Sequence, residues 1–403
     1  MTGMKWGLVF CLALSRLALP AQSADRFEQL RERMVRVVLE ADGISHPAVL
    51  SAMRTVPRHE FVSGLHRKRA YEDTSLPIGS SQTISPPYIV GYMTQVLDPQ
   101  PSDRVLEIGS GSGYQAAVLA EIVSEVYTIE IVPELARSAK RRLAQLKYDN
   151  VFVREGDGYL GWPEKAPFDR IIVTCSPEQI PIPLTEQLKE GGRMIIPVGE
   201  RYQQAFVLLT KRDGELQQEK LIPTLFVPMT GESESLRRVQ PDPERPQIIN
   251  GSFEQDENED GKVDGWHYQR KSQIASEEAM HGAKYVRFEN SDAGDGAQML
   301  QGTAINGRRI GALQIRYWVR WTSVASGPAR TDRAGIVVHF YDRNRKEISV
   351  TAHGHYRGTL GWQRATTNIA VPQNAQEMIL RIGLNGATGT IDFDQMELAL
   401  IPR

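Results

Sequence analysis

Cysteine is nearly absent from this 403-residue chain: only Cys11 and Cys175 occur. Cys11 lies in an apolar N-terminal stretch. If that stretch is removed, Cys175 stands alone, which excludes an intrachain disulfide and a cysteine-based zinc site. The eight histidines are scattered, with no i, i+4 pair of the kind that builds a helical metal site. The formal net charge is -2, so the chain lacks the basic footprint of a nucleic-acid binder. No apolar run is long enough for a comfortable membrane span, because Arg16 interrupts the one at the N-terminus. What remains is ordinary globular composition, 41% apolar and 24% charged, in a chain long enough for two domains.

The N-terminus is read separately. Lys5 precedes an apolar run over 6–14, then Ser15-Arg16, then residues 17–24 with small side chains near their end. Residues 1–24 therefore read as a secretory signal with cleavage near 21–24. An unstructured extension and a translation start placed too early are the alternatives.

Beyond it, Phe27, Leu30, Met34, Val37 and Ala41 recur at helical spacing and predict an amphipathic helix over 26–41. Strands and helices then alternate. Strand 104–108 leads to helix 114–122, strand 125–131 to helix 133–146, and strand 151–155 follows. Strand 168–174 leads to helix 183–190, and strands 193–198 and 204–211 close the series. Such alternation implies a doubly wound α/β domain over 25–230, its sheet mostly parallel with a reversed edge. Residues 231–247, rich in Glu, Arg and Pro, read as a linker. From 248 to 403 short β-type runs dominate, at 284–288, 312–321, 334–341, 346–352, 362–370, 377–383 and 391–400, as in an all-β sandwich.

The run Val105-Leu106-Glu107-Ile108-Gly109-Ser110-Gly111-Ser112-Gly113 carries the first chemical signal. It is a buried strand turning through alternate glycines into a helix. Glycines there let a ligand approach backbone, and the helix start offers free N–H groups. Glu130 ends the next strand, 23 residues after Glu107, where a carboxylate can accept from two ribose hydroxyls. Asp157-Gly158 ends the third strand, where Asp157 can meet an adenine amino group. Three strand ends thus line one crevice suited to an adenosine-containing cofactor.

The loop before the sheet is more specific. Pro77-Ile78-Gly79-Ser80-Ser81-Gln82-Thr83-Ile84-Ser85-Pro86-Pro87-Tyr88 resembles the signature of the protein-L-isoaspartate O-methyltransferase family. Val56-Pro57-Arg58-His59-Glu60-Phe61-Val62 and Ala70-Tyr71-Glu72-Asp73 precede it in family order. The glycine turn, Val126-Tyr127-Thr128-Ile129-Glu130, Gly156-Asp157-Gly158-Tyr159-Leu160-Gly161-Trp162-Pro163 and Ile196-Pro197-Val198-Gly199 follow. The likeness covers roughly residues 26–230.

That resemblance implies a class I methyltransferase, Rossmann-like in fold, that uses S-adenosylmethionine rather than NAD. The implied acceptor is the α-carboxylate of an L-isoaspartyl residue in a damaged protein or peptide; the ester then closes to a succinimide that partly returns to aspartate. A carboxylate is already ionised near neutral pH, so no catalytic base is needed. Ser85 matches the family's active-site serine, a hydrogen-bond donor to the substrate carboxylate. Glu107, Gly109 and Gly111 match positions lining the methionine part, Glu130 the ribose, and Asp157 with Gly158 the adenine. Thr83 and Ile84 are expected to close over the sulfonium. Cys175 is read as a small buried hydrophobe. The family usually has glycine where Ser81 stands, and Gln or Ala where Pro86 stands. Family and cofactor supply imply a cytoplasmic enzyme, whereas the signal-like segment implies a periplasmic or secreted one. The competing function is an exported glycan- or protein-binding protein whose methyltransferase domain is inactive or retargeted.

The C-terminal part opens with Asp256-Glu257-Asn258-Glu259-Asp260-Gly261, alternating oxygen side chains like half of a calcium loop. Asp256, Asn258 and Asp260 are the candidate ligands of a structural Ca²⁺. No helices flank the run and the spacing to a late glutamate fails. The opening Asn250-Gly251-Ser252-Phe253 and the ending Gly389-Thr390-Ile391-Asp392-Phe393-Asp394 resemble carbohydrate-binding, jelly-roll-like β-sandwich modules. Trp318, Trp321 and Trp362 are the candidates for stacking on sugar rings, with burial in the sandwich core as the alternative.

Overall fold

The computed structural model describes residues 21–403. The signal-like reading of 1–24 therefore falls, but for its last four residues, outside the described residues. No described helix is long and apolar enough to cross a membrane.

Helix α1 (Ala21–Met34) widens through Val35–Leu39 and tightens over Glu40–Asp42, so the helix expected over 26–41 is irregular in its last two turns. Helix α2 (Pro47–Thr55) follows. A hairpin of β1 (Leu76–Gly79) and β2 (Gln82–Ile84) then leads into α3 (Pro87–Leu97). The sequence pattern gave no helix there. Pro86-Pro87 reads as a breaker, yet proline at the first helical position suits a helix start.

The main sheet contains β3 (Arg104–Ile108), β4 (Glu125–Glu130), β5 (Val151–Glu155), β6 (Phe168–Val173), β7 (Leu188–Glu200), β8 (Gln203–Arg212) and β9 (Glu215–Thr224). Their order is β5-β4-β3-β6-β7-β8-β9. The pairs from β5 to β7 are parallel, and β7-β8-β9 are antiparallel. Between these strands run α4 (Tyr114–Ala120), α5 (Pro133–Gln145) and the short α6 (Ile182–Glu186). After Arg104 at its start, β3 is apolar on both faces apart from Glu107, because helices cover both sides of a parallel sheet. Val105 packs into the core beneath α2–α4, while Leu106 and Ile108 pack into a second core with Phe168 and Leu184.

Residues 231–239, expected as linker, lie against this domain. A helical turn at Glu232–Ser235 is followed by Arg237, whose buried guanidinium donates to the Ser176 carbonyl at 3.2 Å. The C-terminal half is two five-stranded antiparallel sheets facing each other. One runs β10 (His267–Arg270), β13 (Gln298–Ala304), β18 (Glu377–Gly383), β15 (Ala334–Tyr341), β16 (Glu347–Tyr356). The other runs β11 (Ser272–Ala275), β12 (Tyr285–Asn290), β19 (Thr388–Pro402), β14 (Ile310–Ala325), β17 (Gly358–Ala370). Phe253, Trp266, Phe288, Tyr317, Phe340 and Phe393 fill the space between them.

The two halves insert into each other. Tyr202, at the tip between β7 and β8, is buried; its hydroxyl donates to Glu377 at 3.0 Å and its carbonyl accepts from His267 Nε2 at 2.7 Å. Gly302 makes room for that ring: a Cβ there would sit 2.6 Å from Tyr202 Cδ1. In return, Tyr268 of the sandwich packs into the first core of the α/β domain.

Candidate functional site

The chain runs from β3 outward through β4 and β5, then returns to the far side of β3 as β6. That reversal leaves a crevice at the carboxyl ends of β3, β4 and β6, where open α/β sheets bind ligands. A cavity lies there. Thr83, Ile84 and Ser85 line one side, Gly109 and Gly111 the floor, and Glu130 and Gly158 the other side.

Gly109 has φ +96, and a Cβ on it would lie 2.5 Å from Thr174 Oγ1. Only glycine fits that backbone at that distance. The Thr174 hydroxyl lies within bonding distance of two carbonyls, Ile108 at 2.9 Å and Gly109 at 2.8 Å, and so pins the turn to β6. Glu130 is buried at the end of β4. It accepts from the Gly111 N–H at 2.7 Å and the Val132 N–H at 2.9 Å. Burial raises its pKa, and these backbone bonds pull the other way.

Two expected residues are not among those that line the cavity. Glu107 is fully buried; Thr128 Oγ1 donates to its Oε2, and its Oε1 has no partner. Burial first, and the neighbouring Glu130 charge second, push its pKa up to about 8. Asp157 caps the turn Gly158–Leu160 by accepting from the Tyr159 N–H at 2.9 Å, and its second oxygen accepts from the Glu232 N–H at 2.8 Å. It therefore holds the 231–235 segment as well as the third strand end.

Ser85 is half-buried, and among the described residues no hydrogen bond engages its Oγ. Its carbonyl accepts from Arg58 Nη2 at 2.7 Å; Arg58 is fully buried, also donates to the Ala70 carbonyl, and lies over the Tyr114 ring. Sequence reasoning gave Arg58 no role. It also missed Thr174, Cys175 and residues 227–230 as cavity lining. Thr174 and Cys175 are the two residues that follow β6, so the strand-end rule that found Glu130 could have found them. Residues 227–230 carry no local signal; they are brought in by backbone pairing with Ser176. Burial raises the Cys175 thiol pKa, and the charges of Glu130 and Asp157 add to the shift.

The candidate calcium ligands form a self-contained turn. Asp256 accepts from the N–H groups of Asp260 and Gly261, each at 3.1 Å; Asp260 accepts from the Lys262 N–H and from the Asn258 amide. Among the described residues no group of three or more His, Cys, Asp or Glu is arranged to hold a metal. The calcium expectation therefore finds no support. Two of the three tryptophans are engaged within the protein. Trp321 is buried, with Nε1 donating to the Arg357 carbonyl; Trp362 lies under the Arg320 guanidinium, and Trp318 is half-buried.

The features at the α/β cavity fit an adenosyl-amino-acid cofactor. The glycine floor admits it, Glu130 offers carboxylate lone pairs, and the orphaned Glu107 oxygen suits a cationic amine. A switch-point cavity of this composition on a sheet with a reversed β7-β8-β9 edge defines a class I S-adenosylmethionine-dependent methyltransferase domain. The family model for protein-L-isoaspartate(D-aspartate) O-methyltransferase matches residues 29–234. The protein-L-isoaspartate O-methyltransferase of Gloeobacter violaceus is 54% identical over 200 residues, covering 49% of this chain and 98% of that protein. The enzyme of the same name from Opitutus terrae is 55% identical over 203 residues, covering 50% of this chain and 87% of that one. A solved protein-L-isoaspartate O-methyltransferase structure is 31% identical with a TM-score of 0.47, covering 52% of this chain and 71% of its own. The chain belongs to the protein-L-isoaspartate O-methyltransferase family.

Proposed function

We infer that this protein moves a methyl group from S-adenosylmethionine to the α-carboxylate of L-isoaspartyl residues in damaged proteins or peptides. The observation that carries this reading is the Gln82–Ile84 strand with Ser85, which forms one wall of the same cavity whose floor is the glycine turn. When bound, the cofactor supplies a methyl group activated by a positive sulfur. The protein's work is alignment and removal of water around an anion that needs no deprotonation.

Ser85 donates from its free hydroxyl to the substrate carboxylate and orients it. Thr83 and Ile84 cover the reacting region. Gly109 and Gly111 admit the methionine part, and Glu107, buried two residues before Gly109, offers an unpartnered carboxyl oxygen for its amine. Glu130 holds the ribose with the lone pairs that Gly111 and Val132 leave free. Gly158 forms the adenine floor, and Asp157 acts chiefly by fixing the 158–160 turn.

The test is transfer of labelled methyl to an isoaspartyl peptide, with the matching aspartyl peptide as control. Transfer to the isoaspartyl peptide alone is expected; no transfer by the purified chain sinks the reading. Ser85→Ala should bind cofactor normally and lose about 10²-fold in kcat, as for a lost oxyanion-type donor; unchanged turnover removes Ser85 from the mechanism. A glycan ligand for the sandwich is a second, separate reading. It rests on a depression on the β11-β12-β19-β14-β17 sheet lined by Arg287, Arg320, Trp321, Thr359, Leu360 and Asp392. A glycan array that retains nothing ends it.

A further inference from the structure

The sandwich reaches the substrate loop through two of its residues, Arg270 and Tyr268. The Arg270 guanidinium is buried, pairs with Asp73 at 3.2 Å and with Asp42, and lies 3.9 Å from the centroid of the Tyr88 ring. The Tyr268 hydroxyl donates to the Asp73 carbonyl at 2.9 Å. Asp73 in turn accepts from the Tyr88 N–H at 3.0 Å, in the first turn of α3. Ser85 lies three residues before Tyr88.

The physical logic is one of countercharge. Asp42 and Asp73 are two carboxylates packed close together, each largely removed from water. Among the described residues, Arg270 is the one cation within ion-pair distance of either. Removing one partner of a buried pair leaves the other charge uncompensated, which is strongly destabilising locally. The Tyr88 ring gains a cation on its face at the same time. Arg58, from the α/β domain, holds the Ser85 carbonyl from the other side. The loop that carries Ser85 is thus held between one arginine of its own domain and one of the sandwich.

We propose that the sandwich domain is a positioning element of the methyltransferase, with Arg270 and Tyr268 fixing, through Asp73 and Tyr88, the loop that presents Ser85. The proposal rests on the methyl-transfer reading above, because its kinetic consequence is expressed in that reaction. Arg270 and Tyr268 touch neither substrate nor cofactor; they are positioning residues.

The experiment compares Arg270→Gln, Arg270→Lys and Tyr268→Phe in the full chain. Three readouts are taken: kcat and KM for an isoaspartyl peptide, calorimetric affinity for S-adenosylhomocysteine, and amide hydrogen exchange over 82–90. A misplacement of about 1 Å can cost roughly 10²-fold in rate, so Arg270→Gln should lower kcat/KM by up to about that factor. Arg270→Lys should recover part of the loss. Tyr268→Phe, which removes one hydrogen bond, should lower kcat/KM about fivefold. Cofactor affinity should fall much less than kcat/KM, because Gly109 and Glu130 are held by the sheet. Exchange over 82–90 should rise in the same order as kcat/KM falls. A residue that only stabilises the domain junction would lower Tm and leave both the kinetics and that exchange unmoved, and this result overturns the proposal. If Arg270→Gln does not fold, the two milder variants decide by the same readouts. If the wild-type chain transfers no methyl, the function fails, while exchange over 82–90 still decides whether Arg270 holds the loop.

Discussion

Replacing Glu107 by glutamine is expected to make the empty protein more stable at alkaline pH while weakening its grip on the cofactor. The carboxyl is fully buried, with one oxygen held by Thr128 and the other without a partner. Its pKa rises from an ordinary 4.5 to about 8. Between those values the folded state keeps a proton that the unfolded chain has released. Stability from this group is therefore complete below the unfolded pKa and is lost as pH rises through the folded one. At ~1.36 kcal/mol per pH unit, that window amounts to at most about 5 kcal/mol. Urea unfolding of wild type and Glu107→Gln, run from about pH 5 to about pH 8.5, isolates the term, since other carboxylates cancel in the difference. The wild-type curve should fall relative to the variant as pH rises. A bound ammonium beside Glu107 would favour its ionised form, so cofactor binding near neutral pH should release a proton. Calorimetry with S-adenosylhomocysteine in buffers of different ionisation heat should detect that proton in wild type and not in the variant. Parallel stability curves together with no proton release would refute the assignment of a protonated Glu107 that gives up its proton on cofactor binding.

Glu130→Ala removes a carboxylate that satisfies two backbone N–H groups and is proposed to accept from the ribose. Two charge-assisted bonds of about 1.5 kcal/mol each predict roughly a 10²-fold weaker Kd for S-adenosylhomocysteine, and a change within about threefold would count against the ribose role. Ser81 sits at φ +59, a left-handed conformation that disfavours an L side chain. Ser81→Gly should therefore raise unfolding free energy by about 1 kcal/mol in a denaturant titration; no gain would mean that the turn is not strained. Because Asp256 and Asp260 already accept from backbone N–H groups of their own turn, Tm should be the same in calcium and in EDTA, and a calcium-dependent rise would restore a metal site.

Much of the cavity's glycine floor and its Glu130 side was legible because it is local. The β3 strand, its glycine turn and the start of α4 are contiguous, and Glu130 lies one βα unit further on. The hairpin before Ser85 was readable as a motif, but its geometry was not. The usual family glycine at the Ser81 position makes sense only once two successive residues, Ser80 and Ser81, are seen at positive φ. β9 was missed because it is a largely exposed edge strand, whose polar side chains give no apolar period. Helix α3 was missed because a double proline marks both a break and a start. Arg58 and residues 227–230 reach the cavity through packing and backbone pairing, which leave no local trace. The pairing of Asp73 with Arg270 is the extreme case, joining two domains that the sequence presents as separate.

That long-range pairing also orders events during synthesis. Tyr268 leaves the ribosome 195 residues after Asp73. At ~5–20 residues per second, Asp73 therefore waits roughly 10–40 s for the sandwich residues that hold it. Before that interval ends the nascent chain already carries its complete glycine turn, while the loop bearing Ser85 still lacks one of its two arginine holds. The loop bearing Ser85 thus precedes the glycine turn in synthesis and follows it in gaining its last hold.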